Sequence, residues 1–135
     1  MRTTWKPLSN KTKPLTFLLA LTFLFLFSGS SVVFGGDLQD GVDAYKRKDY
    51  KTAFSLWKPL AEQGYAKAQS NLGVMYNNGK GVLQDYALAH MWFNLSGSNG
   101  HKKGMKNRGM VEKRMSPSQI EKAQEMARNW KPTKK

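Results

Sequence analysis

The chain has 135 residues, with 22 lysines and arginines against 9 aspartates and glutamates, and it contains no cysteine. Its length fits one domain, and the lack of cysteine excludes disulfides, zinc–thiolate centres and cysteine nucleophiles. The formal net charge of +13 favours anionic partners such as nucleic acid, acidic lipid headgroups or an acidic protein surface.

The first 35 residues have the three-part pattern of an export signal. The chain opens with four basic residues and no acid: Arg2, Lys6, Lys11 and Lys13. An apolar run covers 15–27, and small residues then lead to the small-x-small cleavage pattern Val33-Phe34-Gly35. We therefore predict a signal peptide at 1–35 and a mature domain at 36–135 that is periplasmic or secreted.

The alternative to a cleaved signal is a membrane anchor formed by residues 15–34. A membrane span needs about 20 apolar residues, and a Ser-Gly-Ser-Ser patch interrupts this stretch after Phe27. The signal carries four of the 22 lysines and arginines and no acid, so the mature domain keeps 18 basic against 9 acidic residues, a net charge of +9. The attraction to polyanions therefore survives cleavage.

Within the mature domain the sequence repeats itself at a shift of 36 residues. The matching pairs are Asp49-Tyr50-x-x-Ala53 with Asp85-Tyr86-x-x-Ala89, Trp57 with Phe93, Gly64 with Gly100, and Asn71-x-Gly73 with Asn107-x-Gly109. A fixed period of this length is typical of a solenoid, in which each unit packs on its neighbours.

Apolar residues recur inside each unit at helical spacing, as in Tyr50, Ala53, Phe54 and Trp57. In chain order the pattern predicts six helices, at 38–47, 50–63, 66–77, 85–97, 101–114 and 117–130. The predicted fold is all-α: a short right-handed α-α superhelix of about three helical hairpins, preceded by the signal peptide.

Three local signals support these helices. Gly64 and Asn78-Gly79 are placed to end helices, because glycine and asparagine accept the left-handed conformation of a C-cap. Gly73 lies inside a helix, where it costs about 1 kcal/mol relative to alanine, so we expect it to allow the close approach of a neighbouring helix. Ser116 with Gln119 predicts a capping box at the start of the last helix.

The segment from Ala68 to Phe93 resembles the Sel-one-like repeat, a variant of the tetratricopeptide repeat with a longer turn inside the hairpin. The residues that carry the resemblance are Leu72-Gly73-x-Met75-Tyr76, Gly79-x-Gly81 and Asp85-Tyr86-x-x-Ala89-x-x-Trp92-Phe93. The third helix pair lacks the motif, since Arg108 and Glu112 replace the Leu and Tyr, and it is expected to be a cap. The resemblance implies a scaffold that holds partner proteins or peptides, with no catalytic residue, cofactor or metal ligand.

Two surfaces are candidates for partner binding. By analogy with tetratricopeptide arrays, the first helix of each hairpin lines a groove. On helix 66–77 the residues off the packing stripe are Lys67, Ser70, Val74, Asn77 and Asn78. The second surface is a basic strip on helix 101–114, formed by Lys102, Lys103, Lys106 and Lys113.

The basic strip has two interpretations. It is either a docking surface for an acidic partner or membrane headgroups, or the solvated polar face that a terminal repeat requires. Nucleic acid is not the expected partner, because no base-reading motif interleaves aromatic residues with the lysines.

The predicted function is an exported scaffold for protein–protein or protein–peptide interaction in the cell envelope, and not an enzyme. The alternatives are a small cell-envelope enzyme and a structural accessory subunit of an envelope complex. His90 and His101, the only histidines, are expected to pack or lie at the surface, and a cleft holding a buried histidine or carboxylate would favour the enzyme. Among the aromatic residues, Tyr45 and Trp92 are expected to be partly exposed.

Overall fold

The computed structural model describes residues 35–134, which form six α-helices and, within that range, no β-strand. The described part of α1 covers 35–46, and the following helices are α2 at Tyr50–Glu62, α3 at Ala66–Asn78, α4 at Tyr86–Ser98, α5 at Lys102–Glu112 and α6 at Pro117–Asn129. All six predicted helices are confirmed, and their boundaries, apart from the start of α1, agree within two residues. The predicted signal peptide and the alternative anchor lie outside the described residues, except for Gly35.

The described helices belong to one unit, Gly36–Lys135. From α2 to α5 each helix packs on the next one in the chain, and in addition α3 touches α5 and α4 touches α6. The second and third hairpins therefore meet both through their first helices and through their second helices, as expected for a solenoid. Within 35–134 no helix has the length and apolar character needed to cross a membrane.

Helix pairs approach closely where a glycine faces an aromatic ring. A Cβ atom on Gly73 would lie 2.5 Å from two ring atoms of Phe93, which is 2% exposed, so the predicted role of Gly73 is confirmed. A Cβ atom on Gly41 would likewise overlap the Trp57 ring. Gly109, one repeat after Gly73, has nothing within 4 Å of its Cβ position, and the residue one repeat after Phe93 is Asn129. The third hairpin therefore lacks this glycine–aromatic contact.

The repeated Asp-Tyr pair marks helix starts. Asp49 caps α2 by accepting a hydrogen bond from the backbone N–H of Thr52 at 3.2 Å, and Asp85 caps α4 by accepting one from Leu88 at 2.9 Å. The hydrogen bonding to Thr52 lowers the pKa of Asp49. The predicted capping box at the start of α6 is also confirmed, with both reciprocal bonds between Ser116 and Gln119.

Trp92 is not partly exposed as predicted; it is 7% exposed. The reason is α6, which packs on α4 and brings the Trp130 ring edge-on to Trp92, with centroids 6.3 Å apart. Tyr45 is half-buried, in agreement with its prediction, and packs against the rings of Tyr50 and Trp57. Burial of Trp92 depends on a contact between segments distant in the chain.

Candidate partner-binding groove

The first helices of the three hairpins, α1, α3 and α5, together line an open groove of about 690 Å³. Its walls are Leu38, Gln39 and Val42 from α1, Lys67, Ser70, Asn71 and Val74 from α3, and His101, Lys103, Lys106, Asn107 and Met110 from the start and body of α5. Residues from three different helices thus face one space, as the analogy with tetratricopeptide arrays predicts.

The groove-facing side of α3 is repeated on α5. Lys67, Ser70, Asn71 and Val74 follow the spacing i, i+3, i+4, i+7 of one helix face. At a shift of 36 residues the same positions are Lys103, Lys106, Asn107 and Met110. The two helices therefore present lysine, asparagine and an apolar residue at equivalent places.

Two rows run across the groove from helix to helix. A carboxamide row consists of Gln39, Asn71 and Asn107. An apolar row consists of Val42, Val74 and Met110. Each first helix contributes one member to each row, because the repeat places equivalent positions on successive first helices.

Two smaller cavities adjoin the groove at Val74. The first, of about 220 Å³ between α1 and α3, is an apolar pocket lined by Val42, Tyr45, Trp57 and Val74, with Lys46 and Asn71 beside them. The second, of about 210 Å³ between α3 and α5, is lined by Val74, Asn77, Asn78, Phe93, Asn107, Met110, Val111 and Arg114. Since Val74 lines all three cavities, they form one continuous surface.

The charge of this surface has one sign. Five cations line the three cavities: Lys46, Lys67, Lys103, Lys106 and Arg114. No aspartate or glutamate is among the lining residues, and the ion pairs found within 35–134 use other side chains. A one-sided charge in a recess raises the local concentration of groups of opposite charge.

The asparagines of the carboxamide row are available for binding. Within residues 35–134 no hydrogen bond joins the side-chain amide of Asn71 or Asn107 to the protein, whereas the Gln39 amide donates to Asp43 at 3.1 Å. Each asparagine amide offers a donor and an acceptor to a molecule in the groove.

The structure brings together most of the residues predicted to bind a partner. Lys67 and Val74 share the groove with Lys103 and Lys106, while Asn77 and Asn78 line the smaller cavity. Ser70 also lines the groove but is only 5% exposed, so it contributes to the floor.

Two members of the basic strip lie elsewhere. Lys102 and Lys113 are exposed but line none of the three cavities. The groove-facing side of α5 is centred near Lys103 and Met110, and it is rotated away from the face that Lys102 shares with Lys113. The strip is therefore divided between the groove and the outer surface.

Sequence reasoning missed Asn71, Asn107 and Met110 as groove residues. The shift of 36 residues already aligns Asn71 with Asn107. The same shift applied to the predicted groove residue Val74 would have indicated Met110, whereas the place of the two asparagines in the groove depends on helix packing.

His90 is buried in a packing contact between α4 and α5. It is 0% exposed, and its Nε2 lies 2.7 Å from Oε1 of Glu112. Glu112 is the residue that replaces the motif tyrosine in the third hairpin, and it provides the partner of Nε2, whereas Nδ1 is buried without a hydrogen-bond partner among residues 35–134. His90 lines none of the three cavities, and within 35–134 no cluster of three metal-ligating side chains forms.

Comparison with known protein families finds a match for two of the three hairpins. The Sel1 repeat family matches residues 36–65 and 66–101. This chain contains two Sel1 repeats. The two matched segments contain the hairpins α1–α2 and α3–α4, and the unmatched α5–α6 hairpin is the one that lacks the motif and the glycine–aromatic contact.

Relatives of this Sel1-repeat chain are longer. Over 49 residues it is 39% identical to the proteins named DAP3-binding cell death enhancer 1 from Rattus norvegicus and Mus musculus, a match that covers 36% of this chain and 10% of each relative. It also resembles the crystal structure of c5321, which displays an SLR fold and is a protective antigen present in uropathogenic Escherichia coli strains. This structural match has a TM-score of 0.68 and 28% sequence identity, and it covers 72% of this chain and 22% of c5321. The chain is a helical scaffold of a kind typical of protein–protein interaction.

Proposed function

We propose that this Sel1-repeat chain is an exported scaffold of the cell envelope that binds another protein or a peptide through the groove. The observation that carries the proposal is a continuous open surface on three rigid helices, with five cations and no acid among its lining residues. Rigid helices hold their side chains at fixed spacing, which lowers the entropic cost of binding.

Two further observations support a protein as the partner. The side-chain amides of Asn71 and Asn107 are free to bond a partner chain, and Met110 is 50% exposed within the groove. The mammalian relatives carry a name that describes binding to another protein. A scaffold that captures partners needs an accessible surface of this mixed polar and apolar character.

Export is the second part of the proposal, and it rests on the signal pattern of 1–35. Cleavage would leave Gly36, the first residue of the folded unit, at the N-terminus. Cell fractionation with intact-mass analysis tests this: the proposal expects a soluble envelope or secreted species that begins at Gly36. A full-length species retained in the membrane fraction would support the anchor at 15–34 instead.

The binding part is tested with tagged full-length protein purified from the cells that produce it. In the groove variant Lys103→Glu/Lys106→Glu, we expect the recovery of co-purifying protein to fall about tenfold or more, because reversed charges repel an acidic partner. The matched variant Lys102→Glu/Lys113→Glu changes the same helix by the same charge outside the groove, and it should retain capture.

The outcomes of this comparison are distinct. Loss of capture in both variants would mean that the whole basic strip binds the partner or an anionic membrane surface. Unchanged capture in both variants at low salt would contradict the proposal. Thermal unfolding of each variant serves as the control for folding, since exposed lysines contribute little to stability.

A further inference from the structure

The three cavities carry chemistry that selects one class of partner. We infer that the occupant of the groove is an extended, acidic peptide segment with one large apolar side chain that enters the pocket between α1 and α3. The inference rests on the proposed function and adds the chemical identity of the partner to it. Charge, backbone recognition and pocket size support it in turn.

Charge complementarity requires acidic residues in the peptide. Lys67 and Lys103 occupy equivalent positions on α3 and α5, and Lys106 lies one turn after Lys103. Among the described residues no carboxylate pairs with these three lysines. A peptide with carboxylates at intervals would supply the missing partners, and each contact would be a charge-assisted hydrogen bond.

The carboxamide row favours a bound peptide whose backbone is extended. The free amides of Asn71 and Asn107 can each donate to a carbonyl and accept from an N–H. In a helical peptide these backbone groups are already bonded to each other, whereas in an extended peptide they remain open. Equivalent amides on adjacent first helices therefore match a strand that crosses the helices.

The pocket between α1 and α3 requires an apolar side chain. Its walls are Val42, Tyr45, Trp57 and Val74, and its volume is about 220 Å³. A cavity of about 150 Å³ lined by apolar side chains holds a benzene molecule, so this pocket has room for leucine, methionine or phenylalanine. Lys46 at its edge would meet a neighbouring carboxylate.

The test is selection of short random peptides, displayed on phage, on the immobilised full-length protein. We expect enrichment of sequences with several aspartates or glutamates and one large apolar residue. In the variant Lys67→Glu/Lys103→Glu, which reverses the two equivalent lysines of α3 and α5, this enrichment should fall tenfold or more. The control Lys51→Glu/Lys122→Glu places reversed charges on α2 and α6, away from the groove, and should retain it.

A second measurement uses an enriched peptide with a fluorescent label and reads its affinity by anisotropy. Replacement of its apolar residue by alanine should weaken binding about tenfold, and so should N-methylation of its backbone. The protein variant Val42→Thr/Val74→Thr nearly keeps side-chain size, and it should reduce affinity for the parent peptide much more than for the alanine peptide.

The alternative results separate the inference from the proposed function. Groove-dependent enrichment of neutral or basic peptides would overturn the inference and leave the scaffold proposal in place. Equal loss of acidic peptides in the control variant would indicate attraction to net charge alone and would also overturn the inference. Absence of any enrichment that depends on the groove would overturn both.

Discussion

Gly73 and Gly109 occupy the same position in successive repeats, and we predict that alanine has opposite effects at the two sites. A methyl group on Gly73 would lie 2.5 Å from two atoms of the Phe93 ring. The ring is 2% exposed and cannot turn into solvent. A methyl group on Gly109 would meet nothing within 4 Å.

The magnitudes follow from two competing effects. Alanine in a helix interior is favoured over glycine by about 1 kcal/mol, and forcing an extra group into a packed core costs about 1–3 kcal/mol. Gly73→Ala is subject to both effects, and the difference between them lowers the free energy of unfolding by up to about 2 kcal/mol. Gly109→Ala is subject only to the first and should raise it by about 1 kcal/mol.

Urea unfolding followed by circular dichroism measures both variants against the parent protein. For a domain of this size about 1 kcal/mol corresponds to a shift of about 4–8 °C in the melting temperature, so a thermal scan gives an independent check. Stabilisation by alanine at both positions would refute the close-approach role of Gly73. Destabilisation at both positions would refute the open environment of Gly109.

Three further predictions concern single side chains. Glu112→Ala should cost about 1–3 kcal/mol of unfolding free energy, because it leaves the buried Nε2 of His90 without its partner, while Glu125→Ala at an exposed position of α6 should cost almost nothing. Ser116→Ala should cost about 1 kcal/mol through loss of the α6 cap. Burial raises the pKa of Tyr76 above its ordinary value of 10.0, so the unfolded chain loses this proton first and stability falls above that pH; Tyr76→Phe should reduce the fall in an alkaline series of thermal unfolding curves.

The helices were predictable because their signals are local. Asp49 and Ser116 stand at helix starts with the side chains that cap them, and apolar residues at helical spacing mark each buried stripe. Gly73 could be assigned a packing role because a glycine inside a helix needs a reason. These features involve residues within about one or two helical turns of each other.

The remaining features depend on contacts between distant segments. His90 and Glu112 are 22 residues apart, and no local pattern indicates that they meet. The burial of Trp92 depends on where α6 crosses α4. Lys103 lines the groove and Lys102 does not, because of the rotation of α5 about its own axis. Helix packing sets this rotation, and the spacing of the charged residues does not reveal it.

The role of Asn71 and Asn107 is predictable from the sequence only in part. The sequence aligns them, but only the structure shows that both amides face the same space as Lys67 and Lys103. A repeat therefore predicts which exposed residues are equivalent, while the packing of first helices determines whether they form one surface.

If the groove between the first helices binds another protein, as proposed, site-specific photo-crosslinking in the producing cells will capture that protein from within the groove. A benzophenone amino acid placed at Met110, in the groove and 50% exposed, should give discrete cross-linked products. The same group at Leu83, which is 90% exposed and outside all three cavities, should give none of them. Identical products from both positions, or none from Met110, would contradict the proposal.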